Sequence, residues 1–204
     1  MSPAVGIIDY GAGNVQSVAN AFNKLGANAF LVSNPEKISS CRHLVLPGVG
    51  AFSGAIESLI ASGMSEALNN YIRNGYPILG ICLGMQLMCI DSMEDGMHTG
   101  LGWIDAHVLP FSTDEKLKVP HMGWNAVKKI KESPIVEDVV DSSDVYFVHS
   151  YYVQCNNPDD VLLSCDYGKE FVAGFAHEHI YGLQFHPEKS QATGLKMLEN
   201  FLKL

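Results

Sequence analysis

The feature that most constrains the fold is an alternation of short apolar runs with amphipathic stretches through the first half of the chain. Val5 to Asp9 reads as a buried strand ending in the turn Tyr10-Gly11-Ala12-Gly13-Asn14. Val15 to Leu25 carries Val15, Val18, Ala19, Phe22 and Leu25 at helical spacing and stops at Gly26. Ala29 to Val32 and His43 to Leu46 read as further strands, the latter running into the loop Pro47-Gly48-Val49-Gly50. Phe52 to Ile72 is mostly helical in pattern, Pro77 to Ile81 is a fourth strand, and Met85 to Ile90 opens another helix. This β-α-β-α order predicts an α/β fold with an open, mostly parallel central sheet and helices on both faces. Sites in such sheets form in loops beyond the carboxyl ends of the strands, where these glycine-rich loops fall.

The second half is richer in strands: Trp103 to Leu109, Trp124 to Ile130, Val145 to Val153, Val161 to Tyr167, Phe171 to His177 and Ile180 to Phe185. Several should be antiparallel, which adds an antiparallel strand-rich portion to the parallel core. Gly194 to Leu204 closes the chain as an amphipathic helix. No repeat, low-complexity tract or linker interrupts the pattern, so residues 1–204 are expected to form a single domain. A compact chain of this length buries roughly 70% of its unfolded surface and needs no disulfide or structural metal. Hydrophobic residues make up 47% and charged residues 17%, which argues against disorder.

The formal net charge is −9 and the basic residues are scattered, so nucleic acid and anionic membranes are poor partners. The five cysteines form no C-x-x-C pair and sit among apolar neighbours, as expected of reduced thiols in the cytoplasm. Met1-Ser2-Pro3 leads into the first strand with no basic leader, and no apolar run approaches a membrane span.

Three motifs carry chemistry. Gly80-Ile81-Cys82-Leu83-Gly84 lies between a strand and a helix. A nucleophile at such a turn projects into a cleft, the flanking glycines relieve crowding, and the helix dipole favours a thiolate at Cys82. In Gln184-Phe185-His186-Pro187-Glu188, Pro187 biases His186 toward extended geometry, in which residues two apart share a side. Glu188 can then orient His186, which deprotonates Cys82 and later protonates a leaving amine. Gly48, Val49 and Gly50, with the amide of Leu83, are placed to complete an oxyanion hole.

Other patterns are bland. Gly11-Ala12-Gly13 has Gln16 where a dinucleotide fingerprint needs glycine, so no nucleotide cofactor is expected. His177 and His179 have no third ligand, so no metal is expected. Met85, Met88 and Cys89 read as core packing, and Lys128, Lys129 and Lys131 as a solvated strand edge.

The cysteine elbow, the late His-Pro-Glu and the Pro-Gly-x-Gly loop resemble class I, triad-type glutamine amidotransferases. Ile8-Asp9-Tyr10-Gly11-Ala12-Gly13-Asn14, His121-Met122-Gly123-Trp124-Asn125, Tyr146 to Tyr151 and Gln184 to Ser190 narrow the resemblance to the glutaminase subunits of imidazole glycerol phosphate synthases. It implies hydrolysis of L-glutamine through a thioester on Cys82 and passage of ammonia to a cyclase subunit with a (β/α)₈ barrel. Cys82, His186 and Glu188 match the triad, and Gln86 and Glu94 match positions that hold the substrate's backbone groups. Asp95 is open as an alternative to Glu94, because Ser92 to Gly96 departs from the expected pattern. His149, Ser150 and Tyr151 align with the segment beside bound glutamine. His121, Met122, Trp124 and Asn125 look like the partner-facing segment, with Lys189 placed for a cross-subunit ion pair. The length leaves no residues for an acceptor site, so the acceptor is expected on another chain. A paralogous subunit feeding surface-sugar amidation, a stand-alone cysteine hydrolase and a non-catalytic binding subunit are the competing readings.

Overall fold

The computed structural model describes residues 3–111 and 117–204; the Met1-Ser2 start lies outside them. The elements run β1 (Ala4–Ile8), α1 (Val15–Lys24), β2 (Asn28–Val32), β3 (His43–Gly48), α2 (Phe52–Ala61), α3 (Met64–Arg73), β4 (Ile78–Cys82) and α4 (Leu83–Leu87). There follow β5 (Cys89–Ser92), β6 (His98–Thr99), β7 (Ile104–Pro110), β8 (His121–Lys129), β9 (Ser143–His149), β10 (Tyr151–Cys155), β11 (Val161–Asp166), β12 (Glu170–His177), β13 (Ile180–Leu183) and α5 (Gln191–Phe201).

All strands join one sheet, whose main path is β2-β1-β3-β4-β13-β12-β10-β7-β5-β6. The block β2-β1-β3-β4-β13 is parallel. Beyond it the pairings of β13, β12, β10 and β7 are antiparallel. A branch of β11, β8 and β9, also antiparallel, leaves the path at β12. The antiparallel portion expected from the sequence therefore continues the parallel core.

Side-chain alternation assigns each helix to a face. Val5 and Ile7 of β1, Val45 of β3 and Leu79 and Ile81 of β4 pack with Val18 and Phe22 of α1 and with Met197, Leu198 and Phe201 of α5. Ile8, Leu44, Leu46 and Ile78 point the other way, onto Phe52, Leu59, Leu68 and Tyr71 of α2 and α3. Strands apolar on both faces belong in a parallel sheet buried between helix layers. Met85, Met88 and Cys89 are fully buried in the second core, as the sequence suggested.

Most boundaries shift by a few residues, and four differences change an element. The helix expected over Phe52 to Ile72 is two helices, because Gly63 sits at φ 72° and turns the chain between them. The helix expected from Met85 to Ile90 ends at Leu87, and Cys89 starts β5. Val145 to Val153 is divided at Ser150, and Pro47 and Gly48 finish β3 rather than opening a loop. The last three follow from reading apolar periodicity without the pairings that terminate an element. Lys128 and Lys129 do lie where β8 is paired on one side only, since its ladder with β9 stops at Val127, whereas Lys131 lies beyond the strand and its Nζ donates to the Ala176 carbonyl at 2.8 Å.

Candidate active site

Three neighbouring strand ends build the site. In the parallel register Gly48 of β3 lies opposite Cys82 of β4, and Ile81 of β4 lies opposite Leu183 of β13. The loop after β3, the elbow after β4 and the His-Pro-Glu turn after β13 thus emerge side by side. Sequence reading missed this adjacency, because nothing local reports that β13 pairs with a strand about a hundred residues away.

Cys82 ends β4 with φ 54° and ψ −113°, a conformation a non-glycine residue adopts only under constraint. Such a residue stores about 1–3 kcal/mol of strain. The constraint is visible in its neighbours. A Cβ on Gly84 would lie 1.7 Å from the Leu46 carbonyl oxygen. One on Gly80 would lie 2.8 Å from backbone atoms of Gly84 and Met85, and one on Gly48 would lie 2.9 Å from Leu83 Cβ. The glycines let β3, the elbow and α4 touch backbone to backbone. The helix after the elbow is a single turn, so backbone geometry rather than a long helix dipole is what presents the sulfur.

His186 follows β13 in extended geometry, with φ −95° and ψ 96°. Its Nδ1 is 2.8 Å from Glu188 Oε1, and both side chains are almost wholly buried. Glu188 lies on a 3₁₀ turn, Pro187–Lys189, rather than in extended chain; the turn brings the carboxylate back under the ring. Ser190 locks this turn: its hydroxyl donates to the His186 carbonyl at 2.6 Å and accepts from the Tyr146 N–H at 3.0 Å. Sequence reading gave Ser190 no role. The opposite ring nitrogen, Nε2, is buried without a hydrogen-bond partner among the described residues. Burial opposes charge on His186, but the neighbouring Cys82 and Glu188 outweigh it and push its pKa up to about 9.

A cleft of about 340 Å³ opens over Cys82, lined among others by Val49, Gly50, Leu83, Gln86, Glu94 and Tyr151. Its wall also includes His149, Ser150 and His186. Gly48 stays out of the cleft and packs behind it, beside Asn14, Ile81 and Glu188. Tyr10, also missed, donates to the Pro47 carbonyl at 3.0 Å and so anchors the end of β3. Burial and the nearby Cys82 sulfur both raise its phenol pKa.

Glu94 lines the cleft, and its Oε2 also accepts from the Phe52 N–H at 2.8 Å. It thereby caps α2, whose own N-cap residue Ala51 offers no side-chain bond. Asp95, in a left-handed turn at φ 53°, is not part of the lining. Burial first, then the Glu94 and Asp95 carboxylates, raise the Tyr151 pKa. Gln86 spends its amide nitrogen inside the protein, donating to the Tyr151 carbonyl and to Gln184 Oε1 at 3.0 Å each.

The segment expected to face a partner is divided. Met122 and Trp124 are 63% and 48% exposed. Trp124 meets Tyr146 edge-on at 6.0 Å, and Lys189 lies 5.8 Å from the same ring, so the three form one patch. His121 instead turns inward, because β8 alternates faces: it stacks on Tyr167 at 3.9 Å and bonds His149 at 3.0 Å. Asn125 is engaged with the Asp166 carbonyl at 2.9 Å. His177 pairs with Asp160 and His179 with the Ile72 carbonyl.

A strained cysteine at a strand-to-helix elbow, a buried His–Glu pair and a cleft over the sulfur define a cysteine-dependent acyl-transfer site. Comparison with known proteins agrees: the family described as "Glutamine amidotransferase class-I" matches residues 6–204, and the chain belongs to it. Imidazole glycerol phosphate synthase subunit HisH 1 of Campylobacter jejuni (strain RM1221) is 47% identical over 201 residues, covering 98% of this chain and 100% of the relative. Subunit HisH of Sulfurimonas denitrificans is 47% identical over 202 residues, covering 98% and 97%. Subunit HisH 2 of Pseudomonas aeruginosa is 43% identical over 199 residues, covering 97% and 98%. Among solved structures, PurLQS from Thermotoga maritima matches with a TM-score of 0.78 at 18% identity over 100% of this chain and 99% of that one, a likeness of fold.

Proposed function

We propose that this chain is the glutaminase subunit of an imidazole glycerol phosphate synthase, a single domain over residues 1–204 that works in the cytoplasm. The observation that carries the reading is the meeting of Cys82, His186 and Glu188 at the ends of adjacent strands β4 and β13, beside one cleft. The full-length relatives named above support the pathway. Among the described residues no helix is long and apolar enough to cross a membrane.

The chemistry follows from the geometry. His186, held by Glu188, takes the thiol proton of Cys82, and the sulfur attacks the side-chain amide carbon of L-glutamine. Charge moves to the amide oxygen, which faces the backbone of Val49, Gly50 and Leu83. The C–N bond then breaks as His186 returns its proton to the departing nitrogen, leaving ammonia and a glutamyl thioester. Water, deprotonated by His186, cleaves the thioester to glutamate and the free thiol. Gln86, Glu94, His149, Ser150 and Tyr151 surround the amino-acid end of the substrate, with the Glu94 carboxylate opposite its ammonium.

The ammonia acceptor is a cyclase subunit, a (β/α)₈ barrel, docked on Met122, Trp124 and Lys189. The test is glutamate release by the isolated chain, with the cyclase, and with the cyclase plus its nucleotide ligand. Low basal activity with strong stimulation is expected, and free ammonium should replace this chain in the cyclase reaction. Full activity of the isolated chain, or no ammonium bypass, would contradict the reading. A partner from surface-sugar amidation, in place of the cyclase, would keep the chemistry and change the pathway.

A further inference from the structure

We propose that Gln184 is a positioning residue whose amide N–H holds the Cys82 sulfur; this rests on Cys82 being the nucleophile. Gln184 follows β13 and is completely buried. A carboxamide in a core is destabilising unless both its ends are bonded, so what it bonds to is informative.

The orientation of the Gln184 amide follows from neighbours that can only accept. The Tyr151 carbonyl receives a hydrogen bond from Gln86 Nε2 at 3.0 Å, which fixes that nitrogen as the inward end of Gln86. The same nitrogen donates to Gln184 Oε1 at 3.0 Å. Gln184 therefore turns its own nitrogen the other way, to Cys82 Sγ at 3.9 Å. The Tyr151 carbonyl is held in turn by His149 Nδ1 at 2.8 Å. That bond places the proton on Nδ1, so Nε2 of His149 accepts from His121 Nδ1 at 3.0 Å. The result is a continuous chain, His121 to His149 to the Tyr151 carbonyl, then Gln86 to Gln184 to sulfur, in which each donor meets an acceptor.

The sulfur has a second neighbour, the Val148 carbonyl, also at 3.9 Å. A carbonyl can accept a proton from the thiol but repels a thiolate. Once His186 has taken the proton, the Gln184 N–H is the group on this side that still favours the sulfur. It stabilises the anion and keeps it aimed at the cleft, and it makes no contact with substrate.

The experiment compares Gln184→Met and Gln184→Glu, both close in volume, in the full chain with its partner. Gln184→Glu retains the acceptor for Gln86 and loses the donor to sulfur. Two assays are run: steady-state kinetics, giving kcat and KM for glutamine, and the rate at which iodoacetamide alkylates Cys82 in the isolated chain. Loss of a hydrogen bond to a charged acceptor predicts that kcat falls about tenfold or more while KM stays within about twofold. Alkylation should slow by a similar factor, with Gln184→Glu the worse on both counts. A merely structural glutamine predicts the opposite sign, because a loosened core exposes the thiol and speeds alkylation. Unchanged kcat, or alkylation as fast as in the parent chain, overturns the proposal. Should Gln184→Met fail to fold, Gln184→Glu carries the same two readouts. Cys82→Ala in the same assay separates the two ideas: activity surviving it removes the nucleophile itself, whereas a dead Cys82→Ala beside a normal Gln184→Met removes only the role of Gln184.

Discussion

The two sides of the cleft are held in different ways. On the elbow side, Gly48, Gly80 and Gly84 bring backbones so close that a methyl group would overlap its neighbours. On the β8–β9 side, position is set by side chains: His121 and His149 bond each other, His121 stacks on Tyr167, and His149 reaches the Tyr151 carbonyl. Steric fixation holds a strained nucleophile at one angle. A polar network of neutral histidines holds through directional bonds, and protonation can break it. The contrast teaches that the Cys82 sulfur sits on the rigid side, while the exposed Met122 and Trp124 belong to the strand that carries the polar one.

The largest expected effect lies in the triad. His186→Ala should lower glutaminase turnover by roughly 10⁴-fold, nearly as much as Cys82→Ala, because residues acting as a unit are not additive. Glu188→Gln alters orientation and charge support but leaves the base, so its loss should be smaller. Steady-state glutamate release with the partner present checks the order, and a Glu188→Gln variant worse than His186→Ala would overturn these roles.

Gly84→Ala sharpens the steric half of the comparison. Its Cβ would meet the Leu46 carbonyl oxygen at 1.7 Å, and backbone cannot yield as a side chain does. A loss of stability of about 3 kcal/mol or more is expected, or failure to fold, by denaturant titration. A near-neutral Gly84→Ala would show that the elbow is looser than these contacts require.

The polar half is breakable by acid. Burial lowers His149 to about 3 and His121 to about 4, and the neighbouring His121 and then His186 add to the depression of His149. Below the ordinary value of 6.5 the unfolded chain takes up these protons while the folded chain does not. The stabilising contribution is therefore complete above pH 6.5 and is lost as pH falls toward 4 and below. The slope is about 1.4 kcal/mol per pH unit for each fully titrating group. His186 carries the opposite sign: its raised value contributes fully below 6.5 and fades as pH rises through about 9, so it adds no slope in the acid window. Denaturation midpoints from pH 7 to pH 4 should show the acid loss, and His121→Phe should flatten it.

The smallest effect belongs to the surface. Trp124→Ala should reduce stimulation by the partner several-fold and leave basal hydrolysis and thermal stability nearly unchanged, since Trp124 is 48% exposed. Equal loss of basal and stimulated rates would place Trp124 in the catalytic machinery instead.

The same contrast explains what could be read from the sequence. The elbow, the Pro-Gly-x-Gly loop and the His-Pro-Glu turn are legible because each is a local device: glycines permit contact and a proline sets one backbone angle. The parallel core was legible from β1 to β4 because both faces of those strands are apolar. Pairing of β13 with β4, the inward turn of His121 and the capping of α2 by Glu94 were not. Each is a contact between distant segments, and the Glu94 carboxylate could equally have been solvated. Ser190 and Tyr10 were overlooked for the same reason: a serine after a turn and a tyrosine after a strand acquire roles only through Tyr146 and Pro47.

The most direct test of the central claim is labelling by a glutamine-mimicking electrophile, read by peptide mass spectrometry. Burial raises Cys41, and burial with neighbouring charge raises Cys89, Cys155 and Cys165, the last two to about 12, which keeps these thiols protonated and slow. Cys82 alone opens on the cleft beside His186. A single adduct on Cys82, slowed by added glutamine and abolished in His186→Ala, is the predicted result; adducts appearing first on Cys41 or Cys165, with Cys82 unmodified, would contradict it.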